Sequence, residues 1–309
     1  MDDSVANTPS LEVNIAGLRL SNPTMLASGI LGTSAEIFKR ICDEGAGAVV
    51  TKSISSSPRA PYGNPTVIGM QHGVLNAIGL ANPGSEKFAK EIADLDETIP
   101  IILSVFGASA EEMVMVMSNF NSTQILAYEL NLSCPHVKNV GLEIGSDPET
   151  VAQMVTDVKK SSSKPIFAKL SPNASDIVKI AKAAEDAGAD AITATNTIRA
   201  MSINVETGMP VLSNQIGGLS GRALKPVSLR CVYEISKAVN IPVIGCGGVE
   251  DHNDALEYLM SGASAVQIGS AIAYKGIEIF GDVVNGIRIF LKKKGFDNVK
   301  DVIGLAHRA

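Results

Sequence analysis

Eight short apolar segments recur along the chain, and a longer stretch separates each from the next. Several of these stretches, such as residues 147–160, 176–187 and 251–261, carry apolar residues at helical spacing and begin at an Asp. Strands that alternate with helices run parallel, because each helix returns the chain to the edge where the next strand begins. Eight repeats of this unit predict an α/β fold, a (β/α)8 TIM barrel. The apolar segments are 24–27, 48–51, 99–105, 127–132, 165–170, 191–194, 241–245 and 265–268.

The length and composition fit one such barrel. The 309 residues are 45% hydrophobic and 19% charged, which is enough apolar material for one large core, so residues 1–309 are predicted to form a single domain. Residues 11–20 alternate around Ala16-Gly17 and predict an N-terminal β-hairpin that closes the barrel floor. The connections 53–82 and 197–224 are too long for simple turns, so we expect loop insertions over the catalytic face.

Charge and cysteine content exclude several classes of protein. The net charge is −6 and there is no long basic block, so nucleic acid is not an expected partner. No apolar run approaches the roughly 20 residues that span a bilayer, and no signal peptide is evident, so we expect a cytoplasmic protein without membrane contact. The four cysteines are scattered without metal-binding spacing, so no metal site and no disulfide framework are expected.

Polar residues follow most of the apolar segments, at the strand ends where a parallel barrel builds its active site. The most informative is Cys134, because the strand-like run 129–132 ends in the polar turn SCPH at 133–136. A free cysteine is most often an inert core residue. In this polar context Cys134 is a candidate nucleophile or general base. His136 is a second candidate base, a capping donor or an ordinary surface residue.

Two lysines and two glycine-rich turns also stand at strand ends. Lys52 and Lys169 indicate an anion at the barrel mouth, although either side chain could reach solvent or form a Schiff base with a carbonyl substrate in a barrel lyase. The turns 245–249 and 267–271 follow the seventh and eighth segments, where barrels usually bind phosphate through backbone N–H groups. They predict a cofactor or substrate that carries phosphate.

Four carboxamides form a further group of candidates. As a set they suit a flat ring that bears both N–H and C=O groups, whereas each one alone is an ordinary turn residue. They are Asn76, Asn82, Asn131 and Asn196.

These motifs, in this order, resemble the soluble class 1 dihydroorotate dehydrogenases from about residue 11 to the C-terminus. The motifs are TKS (51–53), NAIGLANPG (76–84), NLSCP (131–135), KLSPN (169–173), ATNT (194–197), GGLSG (217–221) and the two glycine turns. The resemblance implies an FMN-containing barrel that oxidises dihydroorotate to orotate in pyrimidine (UMP) biosynthesis. It implies that Cys134 is the base that takes a proton from substrate C5 while hydride leaves C6 for the flavin.

The resemblance also implies where the ligands bind. Lys52 would lie between flavin and substrate, and Lys169 would stabilise negative charge on the reduced flavin. The positions that match FMN-binding residues are Ser28, Lys52, Ser53, Ser104, Asn131, Lys169, Thr195, Gly221, Gly247, Gly248, Gly269 and Ser270. Those that match substrate-binding residues are Lys52, Asn76, Ala77, Ile78, Gly79, Leu80, Asn131, Asn196 and Thr197. The family often has Asn at the positions of Ser104 and His136.

The run 76–84 is more similar to the NAD-linked 1B branch than to the fumarate-reducing 1A branch. Members of the 1B branch pair a homodimer of this catalytic subunit with an iron–sulfur flavoprotein, generally as a heterotetramer. This implies that FAD and a [2Fe–2S] cluster lie on a partner subunit, since the chain has no cluster-binding cysteine set. Because of His136, the run 131–136 is also similar to dihydropyrimidine dehydrogenase, which acts on uracil or thymine. That alternative and a non-catalytic flavin-binding subunit stay open.

Overall fold

Eight parallel strands close into a barrel in the computed structural model, which describes residues 8–133 and 144–308. Each strand pairs with its neighbours in chain order, and the last pairs with the first. All eight lie where the sequence predicts a strand, with ends that differ by at most two residues. The strands are β1 (Thr24–Leu26), β2 (Ala48–Val50), β3 (Ile101–Val105), β4 (Ala127–Asn131), β5 (Ile166–Leu170), β6 (Ala191–Ala194), β7 (Val243–Cys246) and β8 (Ala263–Ile268).

Helices alternate with these strands, as the sequence predicts. Within the described ranges they are α1 (Ala35–Asp43), α2 (Ser85–Glu91), α3 (Ala110–Ser118), α4 (Pro148–Lys160), α5 (Ile177–Asp186), α6 (Lys225–Ser236), α7 (His252–Met260), α8 (Ile272–Lys275) and α9 (Ile279–Lys294). Asp147, Asp176 and Asp251 cap α4, α5 and α7. Each accepts a hydrogen bond from the backbone N–H three residues later, which satisfies a donor that the first helical turn leaves free.

A short antiparallel hairpin precedes the barrel, as predicted. Its strands are Val13–Ile15 and Leu18–Leu20, and the second runs almost directly into β1. The hairpin therefore lies at the amino-terminal end of the barrel strands. Val13, Ile15 and Leu20 are buried, because the hairpin packs its apolar face against the barrel core.

The two long connections meet in one antiparallel sheet, which the sequence did not predict. The order of its strands is Ile198–Met201, Ile216–Ser220, Gly73–Asn76 and Val67–Met70. We call these four strands the cover sheet. Because the two connections leave the carboxyl ends of β2 and β6, the cover sheet lies at the end of the barrel where the catalytic face was expected.

The barrel strands are buried on both faces, because helices cover the outside and opposite strands fill the inside. Every residue of β3, β4 and β5 is buried. Charged side chains among them, Glu129 and Lys169, are therefore exceptional and lead to the functional site.

Two further structural findings bear on function. None of the helices in the described part of the chain is both long and apolar enough to cross a membrane. In the same residues, no group of three or more His, Cys, Asp or Glu side chains is placed to hold a metal ion.

Candidate active site

Polar side chains occupy the barrel interior near the carboxyl ends of several strands. Glu129 and Asn131 of β4 share one face, because alternate residues of a strand point the same way. In the register of the barrel, Asn131 lies opposite Lys169 of β5, and Lys169 lies opposite Thr193 of β6. The Lys169 ammonium contacts Gln267 of β8, a strand that does not neighbour β5. This contact crosses the interior, so these side chains point inward.

The Lys169 ammonium is held by three acceptors from three different strands or strand ends. It donates to Gln267 Oε1 at 2.7 Å, to Ser28 Oγ at 3.2 Å and to Glu129 Oε1 at 3.3 Å. Burial is the largest single influence and by itself would lower the pKa of Lys169, but the charge of Glu129, a contribution from Cys246 and the hydrogen bond to Glu129 together outweigh it, so the pKa is raised. Lys169 is therefore a fixed positive charge beneath the barrel mouth, and the anion site predicted there stays a prediction.

A chain of side-chain hydrogen bonds runs along the neighbouring side of the mouth. Asn196 Nδ2 donates to Asn131 Oδ1 at 3.2 Å, and Asn131 Nδ2 donates to Ser53 Oγ at 3.0 Å. Ser53 and Ser104 share a hydrogen bond of 2.9 Å. Four of the predicted site residues thus meet across β2, β3, β4 and β6 in one continuous row of amides and hydroxyls. Such a row can present both donors and acceptors to a planar ring.

Lys52 lies just beyond the end of β2, where its ammonium donates to the backbone oxygen of Gly29 at 3.3 Å. Its side chain is half-buried, and this burial lowers the pKa of Lys52. Lys52 and Lys169 therefore differ in their electrostatic setting, because within residues 8–133 and 144–308 only Lys169 of the two has a carboxylate partner.

The cover sheet brings the predicted substrate residues to the mouth. Asn76 ends one of its strands and donates from Nδ2 to the Gly218 oxygen at 3.2 Å. A Cβ on Gly218 would lie 2.1 Å from Thr197 Oγ1, so only glycine allows the sheet to pack this closely on Thr197. Gly79 and Leu80 both have positive φ, which turns the chain sharply after Asn76. Thr197 and the strand that ends at Asn76 thus meet at one junction of the cover sheet, and their predicted contacts with substrate stay predictions.

The same stretch is fixed to the preceding loop by backbone hydrogen bonds. The Ala77 N–H donates to the Thr66 oxygen at 2.7 Å, and the Ile78 oxygen accepts from the Tyr62 N–H at 3.1 Å. Asn82, another predicted ring-reading amide, has a different role. Its side chain accepts from the N–H groups of residues 55 and 84 and donates to two oxygens, at Ser55 and Leu80, so it closes the loop.

Backbone groups of three loops form a cradle beside β7 and β8. Gly247 and Gly248 follow β7, Gly269 and Ser270 follow β8, and Cys246 pairs with Gln267 between them. A Cβ on Gly248 would lie 2.6 Å from the Gly221 oxygen, so the loop at Gly221 packs directly on the loop that follows β7. Within the described chain, the N–H groups of Gly247, Gly248, Gly269 and Ser270 make no hydrogen bond. We call the loops at 221, 247–248 and 269–270 the glycine cradle.

Side chains behind the glycine cradle hold it in place. Tyr258 of α7 donates from its hydroxyl to the Gly247 oxygen at 2.6 Å. Thr195 shares a 2.6 Å hydrogen bond with Ser228 of α6, and a Cβ on Gly247 would lie 2.4 Å from Ser228 Oγ. The Thr195 hydroxyl therefore supports the cradle from behind. The predicted contact of Thr195 with the cofactor stays a prediction.

Cys134 and His136 lie outside the described residues, so their predicted roles stay predictions. The chain just before them is described: the Ser133 N–H donates to Asn131 Oδ1 at 3.3 Å, which turns the chain at the end of β4. The other three cysteines are poor candidates for catalysis, because their thiols are held protonated. Burial raises the pKa of Cys42 to about 11 and also raises the pKa values of Cys231 and Cys246.

Three further buried residues belong to the site and were not predicted from the sequence: Glu129, Thr193 and Gln267. Glu129 Oε2 accepts from Thr193 Oγ1 at 2.9 Å and from Gln267 Nε2 at 2.6 Å. A usable signal was present, because Glu129 stands two residues before Asn131 in an apolar strand and must share its face. Glu129 was not predicted because only residues at the strand ends were considered as candidates.

Fold and site together define a (β/α)8 barrel with a buried lysine, a row of amides and a backbone cradle at its carboxyl end. Comparison with known proteins agrees, since residues 10–291 match the dihydroorotate dehydrogenase family. The chain belongs to this family. It is 46% identical over 296 residues to the catalytic subunit of dihydroorotate dehydrogenase B (NAD(+)) from Pyrococcus horikoshii, covering 96% of this chain and 97% of the relative. It is 47% identical over 299 residues to the protein of that name from Methanothermobacter thermautotrophicus, covering 96% and 98%.

Proposed function

We propose that this chain binds FMN at the carboxyl end of the barrel and oxidises dihydroorotate to orotate in pyrimidine biosynthesis. The observation that carries the proposal is the joint presence, in a member of this family, of Lys169 beneath the mouth and the glycine cradle beside it. Lys169 suits the electron-accepting ring of a flavin, which becomes negatively charged on reduction. The glycine cradle suits the phosphate of FMN.

The residues present fit FMN. Among the residues that the structure describes, the N–H groups of Gly247, Gly248, Gly269 and Ser270 have no acceptor, and a phosphate satisfies such groups. Positive φ at Gly221, Gly247 and Gly248 turns the backbone into a shape that side chains would block. Ser53, Ser104 and Asn131 of the row, together with the Lys169 ammonium, would hold the flavin ring. When bound, FMN would supply the acceptor for hydride from substrate C6.

The proposed roles of the protein groups follow from their positions. Asn76, Asn131, Asn196 and Thr197 would orient the pyrimidine ring by paired hydrogen bonds, and the cover sheet would exclude water from the mouth. Cys134 would take the proton from substrate C5. A positioned base of this kind contributes about 10² to 10⁴-fold to a rate. Lys52 would contact both ligands.

We also propose that the chain works as the catalytic subunit of a larger assembly. The relatives that it resembles are named as the catalytic subunit of an NAD(+)-linked enzyme. The partner would be an iron–sulfur flavoprotein with FAD and a [2Fe–2S] cluster, bound to a homodimer of this chain as a heterotetramer. Copurification from the native source, followed by mass and iron analysis, would test the assembly.

Two alternatives can be separated by simple assays. A Schiff-base lyase needs a neutral lysine, and Lys169 does not fit because its pKa is raised. Lys52, with its lowered pKa, is the lysine to test by borohydride trapping with a carbonyl substrate. An enzyme of uracil or thymine metabolism would bleach its flavin with dihydrouracil rather than dihydroorotate.

The decisive assay for the proposed reaction is anaerobic bleaching of the bound flavin. We expect dihydroorotate to bleach the purified yellow protein and dihydrouracil to leave it oxidised. Cys134→Ser should retain FMN and lose most of the reduction rate, because a serine hydroxyl is a far weaker acid. Cys42→Ser is the matched control, since this thiol lies on α1 and is held protonated. Bleaching by dihydrouracil alone, or an undiminished rate in Cys134→Ser, would contradict the proposal.

A further inference from the structure

Glu129 is a buried carboxylate for which the proposed chemistry gives no direct task. Its side chain has no solvent exposure, and three donors surround it: Thr193 Oγ1 at 2.9 Å, Gln267 Nε2 at 2.6 Å and Lys169 Nζ at 3.3 Å. A buried charge is tolerated only when it is paired and hydrogen-bonded in this way. Four barrel strands contribute to the group, so it is built into the barrel rather than placed by one loop.

Glu129 lies deeper in the barrel than Lys169. In the strand register Glu129 is opposite Phe167, whereas Lys169 is opposite Asn131, two residues nearer the carboxyl end. The Lys169 ammonium therefore lies between the carboxylate below it and the mouth above it. Gln267 reaches both groups, since Oε1 accepts from Lys169 and Nε2 donates to Glu129. This double contact fixes the ammonium and carboxylate relative to each other.

The other groups around Lys169 carry little charge. Ser28 contributes a hydroxyl from the end of β1, and Thr193 and Gln267 are neutral. Cys246 of β7 is the remaining titratable neighbour, and burial raises the pKa of its thiol, so it stays protonated near neutral pH. Lys52 donates to the Gly29 oxygen instead. Within the described chain, Glu129 is thus the carboxylate that pairs with Lys169.

We propose that Glu129 is a positioning residue that keeps Lys169 protonated and directed at the mouth, and thereby sets the reduction potential of the flavin bound there. The inference deepens the proposed function and rests on its flavin site. It assigns the barrel interior a role in electron transfer in addition to packing. Glu129 itself does not contact the substrate.

We expect loss of the Glu129 charge to lower the reduction potential of the flavin, because Lys169 is buried. In Glu129→Gln the buried ammonium loses its counter-charge, so burial favours the neutral amine. The negative charge of reduced flavin then loses its partner, which weakens binding of the reduced form relative to the oxidised form. Reduction must also draw a proton back onto Lys169, so the potential should fall more steeply as the pH rises.

The test measures the midpoint potential of the FMN-loaded protein between pH 6 and 9 by equilibration with reference dyes. For Glu129→Gln we expect the preference for reduced over oxidised FMN to fall at least tenfold at high pH, which is about 30 mV for a two-electron couple. Glu129→Asp should restore part of the shift, because it keeps the charge. Thr193→Val should give a smaller shift in the same direction, and it carries the test together with Glu129→Asp if Glu129→Gln does not fold.

Asp190→Asn is the matched control for loss of a partly buried acid–lysine pair. Asp190 binds Lys159 just before β6 begins, at the opposite end of the barrel from the mouth. Its removal should leave the potential at the wild-type value at every pH. An unchanged or raised potential in Glu129→Gln would overturn the inference, because Lys169 would then keep its charge without Glu129.

This test is independent of the proposed reaction. The potentials are measured with dyes, so they do not require dihydroorotate. If dihydroorotate failed to bleach the wild-type flavin while Glu129→Gln still shifted its potential, the proposed reaction would fail and the role of Glu129 would stand. If dihydroorotate bleached the wild-type flavin normally and Glu129→Gln had the same midpoint potential as the wild-type protein, only the role of Glu129 would be refuted.

Discussion

Replacing Gly248 with alanine tests whether the glycine cradle binds a phosphate. Gly248 has a φ of +68°, where alanine is strained by about 1–2 kcal/mol. Its new Cβ would also lie 2.6 Å from the Gly221 oxygen, a backbone atom that cannot rotate away. The two loops must therefore separate, and the N–H groups that would face the phosphate move with them. Loss of one hydrogen bond to a charged group costs about 1.5–3 kcal/mol, so the dissociation constant of FMN should rise about 10- to 150-fold.

Gly208→Ala provides a matched control for this prediction. Gly208 has nearly the same φ, +67°, but a Cβ there meets nothing within 4 Å. The two variants share the backbone strain and differ in the contact with Gly221. Titration of the apoprotein with FMN, followed by flavin fluorescence, gives both affinities, and thermal unfolding reports the common strain. Equal FMN affinities in the two variants would refute the assignment of the cradle.

Three further predictions concern groups around the site. Tyr258→Phe removes the 2.6 Å hydrogen bond to the Gly247 oxygen, so the free energy of unfolding should fall by about 1 kcal/mol and FMN should bind several-fold more weakly, as measured by denaturation and titration. Gly218→Ala places a Cβ 2.1 Å from Thr197 Oγ1, so the KM for dihydroorotate should rise while FMN affinity stays constant. Burial raises the pKa of Cys42 to about 11, so only about one thiol in a thousand is ionised at pH 8, and mass spectrometry after brief iodoacetamide treatment should find Cys42 unmodified.

The barrel could be predicted because its signal is local and repeated. Each strand is a short apolar run, and each of α4, α5 and α7 begins at an Asp that caps it. The cover sheet could not be predicted in the same way. Its central pair joins residues 74–76 to residues 218–220, and no local pattern in either loop reveals a partner so distant in sequence.

The site was predictable where it lies at the strand ends and was missed where it lies deeper. Lys52 and Lys169 interrupt apolar runs at their ends and are visible in the sequence. Gln267 and Thr193 resemble ordinary strand residues, and their role depends on contacts with Glu129 across the barrel. The support that Thr195 receives was also invisible in the sequence, because its hydroxyl hydrogen-bonds to Ser228, a residue that no motif suggested.

The central claim is that one barrel mouth holds a flavin and a pyrimidine side by side, and a crystal structure with FMN and orotate tests it most directly. The account predicts phosphate density at Gly221, Gly248 and Ser270, with orotate between the flavin ring and the Asn131–Asn196 pair. Density for either ligand elsewhere on the protein, or a mouth that contains neither, would contradict it.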